Sequence, residues 1–339
     1  MEGNEWMLST SINSCPLVRL TQLHAANTSC LIAKRHSWYR SRILIAYRAE
    51  EQTSGMDNTT TETSVAPRKL VRYQLQHADT QVQIEYADQG VGPVVCILPS
   101  LARSGRDYDV VASFLQQDGF RVIRPEPRGI GQSQGTMHSL SLHDFAADVA
   151  AVLDHENTGP IVVVGHAWGS QPARMLAADR PDLVCGVVMA AASAGKMPPE
   201  STEKPYSRLR DAIDGAGDLS LPEDQRIDCL QRAFFAPGHD PRVWLDGWSV
   251  STHEAQSHAR QTTPVDDYFS AGTQVPILDL QAEHDAVVVP NVMKPYLGDR
   301  VTVQVIKDAG HAMAPEQPRA MADAIAAFAK RVYRTQTDA

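Results

Sequence analysis

The sequence has few features that would tie it to a nucleic acid, a membrane or a metal. Acidic residues outnumber basic ones, with a formal net charge of −9, whereas proteins that bind nucleic acids or anionic membranes need a basic face. The cysteines are scattered and form no Cys-x-x-Cys pair, so they suggest neither a metal site nor a disulfide framework. They are Cys15, Cys30, Cys96, Cys185 and Cys229.

These absences indicate a protein without nucleic-acid, membrane, metal or cofactor partners, in a reducing compartment such as the cytoplasm. At 339 residues and 43 % hydrophobic composition, the chain can bury a large core, so it needs no disulfide or metal to fold. We leave open a second copy of the chain as a partner, in a homodimer.

The first 67 residues differ in character from the rest. Residues 1–48 carry six basic side chains against two acidic ones, without a membrane-spanning hydrophobic run or the layout of a secretory signal. The two acids, Glu2 and Glu5, also argue against an organellar transit peptide. Met56, which opens a polar run, is an alternative start of translation. We predict an unstructured extension over residues 1–67.

From Lys69 onward the sequence alternates strand and helix patterns. Short apolar runs, such as residues 94–98 and 161–164, are separated by stretches with helical spacing such as residues 142–155. This alternation predicts an α/β fold, in which a mostly parallel sheet of eight strands has helices on both faces. We assign residues 68–194 and 274–334 to this core.

The alternation stops between residues 195 and 273. This stretch is rich in proline and charge, and its apolar residues come in clusters. A structureless loop of that length is improbable in a compact domain, so we predict a helical lid inserted into the core. Its aromatic residues predict an apolar cavity for a small hydrophobic substrate, although each could equally serve only to pack the lid onto the core.

Three segments carry residue types that suit catalysis. In residues 165–169, Gly-His-Ala-Trp-Gly, two glycines permit a sharp strand-to-helix turn that projects the middle residue from the sheet. Asp285 follows a buried strand, and His311 lies in a loop after the last strand. Taken singly, these are a tight turn, a helix N-cap and a surface histidine. In this order, each after its own strand, they predict a nucleophile elbow, an acid and a base.

With these motifs, roughly residues 69–332 resemble the α/β-hydrolase superfamily. Residues 128–133, Arg-Gly-Ile-Gly-Gln-Ser, look like a turn of that family, and the elbow is similar to the Gly-His-x-Trp-Gly form of epoxide hydrolases and haloalkane dehalogenases. The resemblance implies that Asp285 is the acid, that His311 is the base, and that the Leu101 and Trp168 amides form an oxyanion hole. Relatives usually carry His-Gly where residues 99–100 are Pro-Ser.

The resemblance also places a substrate beside the elbow and beneath the lid. Two lid tyrosines polarise the epoxide in epoxide hydrolases, a role that Tyr206 and Tyr268 could mimic. We assign five residues to substrate binding: His166, Tyr206, Trp244, Trp248 and Tyr268.

Ala167 occupies the nucleophile position of this elbow. Epoxide hydrolases and dehalogenases carry aspartate there, and esterases of the fold carry serine. A methyl group forms no acyl-enzyme or alkyl-enzyme. Ser170, a turn into the following helix, and Ser100, beside the oxyanion hole, are poorly placed to substitute.

Three functions remain open at this point. The Asp285–His311 pair is suited to activate water or abstract a substrate proton without a nucleophile, because general acid–base catalysis alone contributes about 10²–10⁴-fold. Alternatively, the chain is a silent ligand-binding or sensing protein of the fold. A further alternative is an alanine engineered into an esterase or an epoxide hydrolase.

Overall fold

The computed structural model describes residues 66–74, 81–198 and 209–337. The predicted N-terminal extension, apart from its last two residues, lies outside these ranges, and so does Tyr206. Within the described ranges, no helix combines the length and apolar character needed to cross a membrane.

The described chain contains eight strands that form one sheet. They are β1 (Arg68–Gln74), β2 (Gln81–Gln89), β3 (Val94–Leu98), β4 (Arg121–Pro125), β5 (Ile161–His166), β6 (Val184–Ala190), β7 (Ile277–Ala282) and β8 (Val301–Ile306). Their order is β1-β2-β4-β3-β5-β6-β7-β8. β2 pairs antiparallel with β1 and β4, and all other neighbours are parallel. The predicted mostly parallel eight-stranded sheet is confirmed.

Helices of the described chain cover both faces of this sheet, and others belong to the stretch between β6 and β7. They are α1 (Asp109–Gln117), α2 (Leu142–His155), α3 (Ser170–Asp179), α4 (Arg210–Gly217), α5 (Glu223–Ala233), α6 (Val250–Thr262), α7 (Val265–Tyr268), α8 (Met293–Leu297), α9 (Met313–Glu316) and α10 (Pro318–Thr337). Side chains alternate along β3: Cys96 and Leu98 pack with α2 and α3, whereas Val95 and Ile97 pack with α1 and α10. Because both faces are covered, the strand is apolar throughout.

The described part of the chain between β6 and β7 contains four helices, α4 to α7; that residues 195–273 form a lid stays a prediction. We call residues 209–268, which contain α4 to α7, the helical insertion. Buried residues of α4 and α5, including Ala212 and Leu230, cluster with Phe234, Trp244 and Ala312. Ala312 belongs to the loop after β8, so the insertion packs directly onto that loop.

Candidate active site

The elbow, residues 165–169, has the sharp turn that its two glycines predict. A Cβ atom on Gly165 would lie 2.4 Å from the carbonyl oxygen of Gly169. One on Gly169 would lie 2.5 Å from the carbonyl oxygens of Leu98 and Pro99. Both positions therefore require glycine, and the close approach brings the start of α3 against the loop that follows β3.

Ala167 lies at the tip of this turn in a left-handed conformation, with φ of 49°. For an L-residue that conformation costs roughly 1–2 kcal/mol. Such strained conformations persist only where the surrounding structure enforces them, and they cluster at functional sites. The turn thus keeps the geometry that presents a middle side chain, although that side chain is a methyl group.

Asp285 and His311 form a buried pair at the same edge of the sheet. The His311 Nδ1 atom lies 3.1 Å and 3.2 Å from the two carboxylate oxygens of Asp285. The backbone amides of Val287 and Val288 donate to Asp285 Oδ1 at 2.9 Å and 3.1 Å. Because a carboxylate only accepts, Nδ1 carries the proton and Nε2 is the basic nitrogen. His311 Nε2 has no hydrogen bond to any described residue.

The loop that carries the imidazole, residues 307–312, is held by the helical insertion; we call it the His311 loop. Glu316 accepts the Gly310 amide at 2.7 Å and the Ala236 amide at 2.6 Å. Burial raises the pKa of this carboxyl, although the two amide hydrogen bonds and the charges of His239 and His311 act in the opposite direction. The Ala312 amide donates to the Phe234 carbonyl at 2.8 Å, and a Cβ atom on Gly310 would lie 2.6 Å from the Ala236 nitrogen.

The loop after β3, residues 99–104, faces the elbow and is called the β3 loop. The Leu101 amide donates no hydrogen bond within the described part of the chain. The Trp168 amide is at the start of a helical segment, where amides lack partners within the helix. These are features of oxyanion-hole donors. That the two amides converge on one oxygen stays a prediction.

Gln256 of α6 connects the β3 loop to the elbow, and nothing in the sequence pattern pointed to it. Its side-chain oxygen accepts the Ala102 amide at 2.7 Å, and its backbone carbonyl accepts the Trp168 indole N–H at 3.1 Å. The insertion therefore contacts both amide-bearing segments as well as the His311 loop.

A model of the alpha/beta hydrolase fold family matches residues 93–318 of the chain. The chain belongs to the α/β-hydrolase fold family. A non-heme haloperoxidase from Rhodococcus erythropolis is 34 % identical over 228 residues, covering 62 % of this chain and 81 % of that protein. Epoxide hydrolase 2 from Siraitia grosvenorii is 28 % identical over 109 residues, which span 32 % of this chain and only 34 % of that protein.

A solved structure of a thermophilic esterase from Thermogutta terrifontis superposes with a TM-score of 0.59 at 23 % identity, covering 74 % of this chain and 94 % of that one. At that identity the likeness shows the fold alone.

In this α/β-hydrolase-fold chain, the assignment of His166 to substrate binding is wrong. Its ring is fully buried, and its two nitrogens lie 2.6 Å from the Tyr108 hydroxyl and 2.7 Å from the His311 carbonyl oxygen. The reason is the alternation of β5, since His166 shares a face with Val162 and Val164. In the sequence His166 stands next to the nucleophile position, which favours a substrate role, whereas its hydrogen-bond partners lie 58 and 145 residues away.

Two predicted cavity residues, Trp244 and Trp248, form a clamp. The Arg103 guanidinium lies between their rings, 5.1 Å and 5.0 Å from the centroids, and is paired with Asp107 at 2.7 Å. Trp244 is almost completely buried there, which corrects its assignment to a cavity wall, whereas Trp248 is partly exposed. The clamp ties the insertion to the β3 loop.

The remaining predicted residues are placed as follows. Tyr268 is buried, with its ring 4.8 Å from the Arg174 guanidinium of α3; this packing corrects its assignment to substrate binding. Tyr206 lies outside the described residues. The Ser170 hydroxyl donates to the Ala167 carbonyl at 2.7 Å, which directs it back into the turn and supports its dismissal as a substitute nucleophile.

Proposed function

We propose that the chain is an enzyme in which His311, oriented by Asp285, acts as a general base without a covalent intermediate. The observation that carries the proposal is the buried pair itself, whose Nε2 atom is unengaged by the described residues. The base would activate a water molecule against the carbonyl of a small hydrophobic ester. Abstraction of a substrate proton is the second reaction open to the same nitrogen.

The absence of a nucleophile at Ala167 sets the expected rate. Loss of a triad nucleophile typically costs about 10⁶ in kcat, while oxyanion hole and binding retain about 10³–10⁴ over the uncatalysed reaction. A positioned general base contributes about 10²–10⁴-fold. We therefore expect slow turnover that is measurable on esters with a good leaving group. The 34 % identity to a protein named as a non-heme haloperoxidase supports an enzymatic role for this chain.

Apolar side chains around the pair support a hydrophobic substrate. The Phe234 ring lies 5.5 Å from the His311 ring. Val287, two residues past Asp285, packs against the same apolar cluster together with other partly buried residues of the insertion, Ile213, Leu245 and Trp248. In this proposal the insertion is the lid of the site, and these side chains bind the acyl group.

The test compares wild type with Ala167→Ser, His311→Ala and Asp285→Asn on p-nitrophenyl acetate and butyrate. Wild type should show steady turnover without a burst and no labelling by a fluorophosphonate probe. The hydrolysis rate should fall by about 10²-fold or more in His311→Ala. It should be unchanged in His258→Ala, at an exposed position of α6. Ala167→Ser should gain labelling.

Several results would contradict this function. A wild-type rate equal to that of His311→Ala, with saturable binding of hydrophobic esters, would make the chain a ligand-binding protein. The methyl group of Ala167 favours this second candidate. Labelling of wild type at Ser100 would reveal a relocated nucleophile.

A further inference from the structure

Four groups form a buried hydrogen-bonded chain beneath the candidate site. The Ser100 amide donates to the Tyr108 hydroxyl at 3.2 Å. That hydroxyl lies 2.6 Å from His166 Nδ1, and His166 Nε2 lies 2.7 Å from the carbonyl oxygen of His311. Tyr108 and His166 are both completely buried. The chain links the β3 loop, the elbow and the His311 loop, which follow three different strands.

The partners fix the direction of every hydrogen bond. The His311 carbonyl oxygen only accepts, so His166 Nε2 must carry a hydrogen. Burial, together with the neighbouring His311, lowers the pKa of His166 to about 3, so the ring is neutral and Nδ1 has a lone pair. Tyr108 therefore donates to Nδ1 while its oxygen accepts the Ser100 amide. Burial raises the pKa of Tyr108, which keeps that phenol protonated.

We propose that His166 and Tyr108 are positioning residues that set the distance between the base and the oxyanion-hole loop. This inference rests on the proposed function for its catalytic consequence, but not for its geometry. His166 holds the backbone of the very residue that carries the base. Tyr108 holds the amide next to Leu101. Each touches only protein groups, so neither is itself a catalytic residue.

The arrangement accounts for a polar pair in the apolar interior. A buried polar group without a partner costs about 1–3 kcal/mol, so the two side chains are stable there only together. Because Tyr108 Oη bonds one loop and His166 Nε2 the other, loss of either side chain releases one loop from the elbow. Misplacement of a reacting group by about 1 Å can cost about 10²-fold in rate.

The first measurement needs no activity. Histidine ring nitrogens of the full-length protein, labelled with ¹⁵N, are followed by NMR from about pH 5 to pH 9. Signals are assigned with His166→Gln and His311→Ala. We expect His166 as a neutral ring with a protonated Nε2, a slowly exchanging N–H and no titration, consistent with the pKa of about 3. A protonated Nδ1, or titration within this range, would overturn the proposal.

The second measurement uses Tyr108→Phe, which keeps the ring and removes the hydroxyl. Its matched control is Tyr333→Phe, because the Tyr333 hydroxyl accepts the Val162 amide at 3.1 Å and donates to the Val94 carbonyl at 2.5 Å, at the opposite end of β3 and β5. Tyr108→Phe should shift or broaden the His311 ring signals, and Tyr333→Phe should not. Equal effects of the two substitutions would reduce Tyr108 to a structural role and overturn the proposal.

Kinetics then separate this inference from the proposed function. On p-nitrophenyl butyrate, Tyr108→Phe should lower kcat about 10-fold or more, with KM changed by about twofold at most. His166→Gln, which retains a donor for the His311 carbonyl, should show a smaller decrease in kcat than His166→Phe. If wild type has no activity, the proposed function fails, whereas the NMR results still decide the positioning role.

Discussion

The Glu316 carboxylate accepts the amide hydrogen of Gly310, the residue before His311, at 2.7 Å. Its other oxygen accepts the Ala236 amide at 2.6 Å. One buried side chain therefore fixes both the loop of the candidate base and the insertion that packs on it.

Replacement of Glu316 by glutamine tests this link. The amide group of glutamine would place N–H bonds opposite the Gly310 or Ala236 amide, leaving a buried donor unpaired. We expect Glu316→Gln to lower the free energy of unfolding by about 1–3 kcal/mol, measured by urea denaturation. Glu254→Gln, at an exposed position of α6, is the control and should change stability little. Equal stability of the two variants would contradict the link.

Replacement of Ala167 by glycine tests the strain in the elbow. The φ of 49° costs an alanine about 1–2 kcal/mol, and glycine loses about 0.5–1 kcal/mol more backbone entropy on folding. We expect Ala167→Gly to stabilise the protein by about 1 kcal/mol or less. Ala327→Gly, at an exposed position within α10, should instead destabilise it by a similar amount. Destabilisation by both substitutions would show that the turn is unstrained.

Much of this architecture could be predicted from the sequence. The period of the apolar runs predicts the sheet. The order of the elbow, Asp285 and His311 along the chain predicts that the last two side chains meet, because parallel strands end at one edge, and the structure pairs them. The surroundings of the pair could not be predicted. Arg103 and Trp244 meet across 141 residues, and no local pattern records so distant a contact.

The same limit explains the misassigned aromatic residues. An aromatic side chain contributes similar apolar surface whether it lines a cavity or packs on a buried cation, so composition alone cannot separate the two roles. Tyr268 illustrates this, because its partner Arg174 lies on a helix of the core far earlier in the chain. His166 is a second example, because its partners Tyr108 and His311 lie 58 and 145 residues away in the chain.

The clamp on Arg103 gives a third expectation. Lysine lacks the planar fork that pairs with Asp107 and stacks between Trp244 and Trp248. Arg103→Lys should lower the melting temperature and shift tryptophan fluorescence as the rings become more exposed. We expect the free energy of unfolding to fall by about 1–3 kcal/mol, because the carbonyl oxygens of Trp244 and Asp246 lose their Arg103 donor. Arg106→Lys, at an exposed position nearby, is the control, and matching melting temperatures would argue against the clamp.

The close approach of the elbow to the β3 loop gives a fourth expectation. A Cβ atom at position 169 would lie 2.5 Å from the carbonyl oxygens of Leu98 and Pro99, so Gly169→Ala must displace backbone. We expect the free energy of unfolding, measured by urea denaturation, to fall by about 1–3 kcal/mol. At Gly105 the nearest atom to an added Cβ is 3.4 Å away, and Gly105→Ala should be tolerated. Similar losses in both variants would mean that the approach is not tight.

The fifth expectation concerns pH and a histidine of α2, His143, that lies near a carboxylate of the insertion. His143 Nδ1 of α2 lies 2.7 Å from the Asp179 carboxylate of α3, and its Nε2 lies 3.9 Å from Asp267 of α7. Burial alone would lower the pKa of His143, but the hydrogen bond and charge of Asp179, with the charges of Asp267 and Asp144, outweigh it and raise the pKa above 6.5.

Because the folded-state pKa of His143 is the higher one, the folded protein binds this proton more tightly than the unfolded chain does. The stabilisation is therefore complete below about pH 6.5 and is lost as the pH rises through the raised pKa. In urea denaturation, the free energy of unfolding of wild type should fall relative to that of His143→Gln as the pH rises through this range. His258→Gln, at an exposed position of α6, should stay parallel to wild type. A constant difference between wild type and His143→Gln at every pH would mean that the protonated histidine is not what joins α2, α3 and α7.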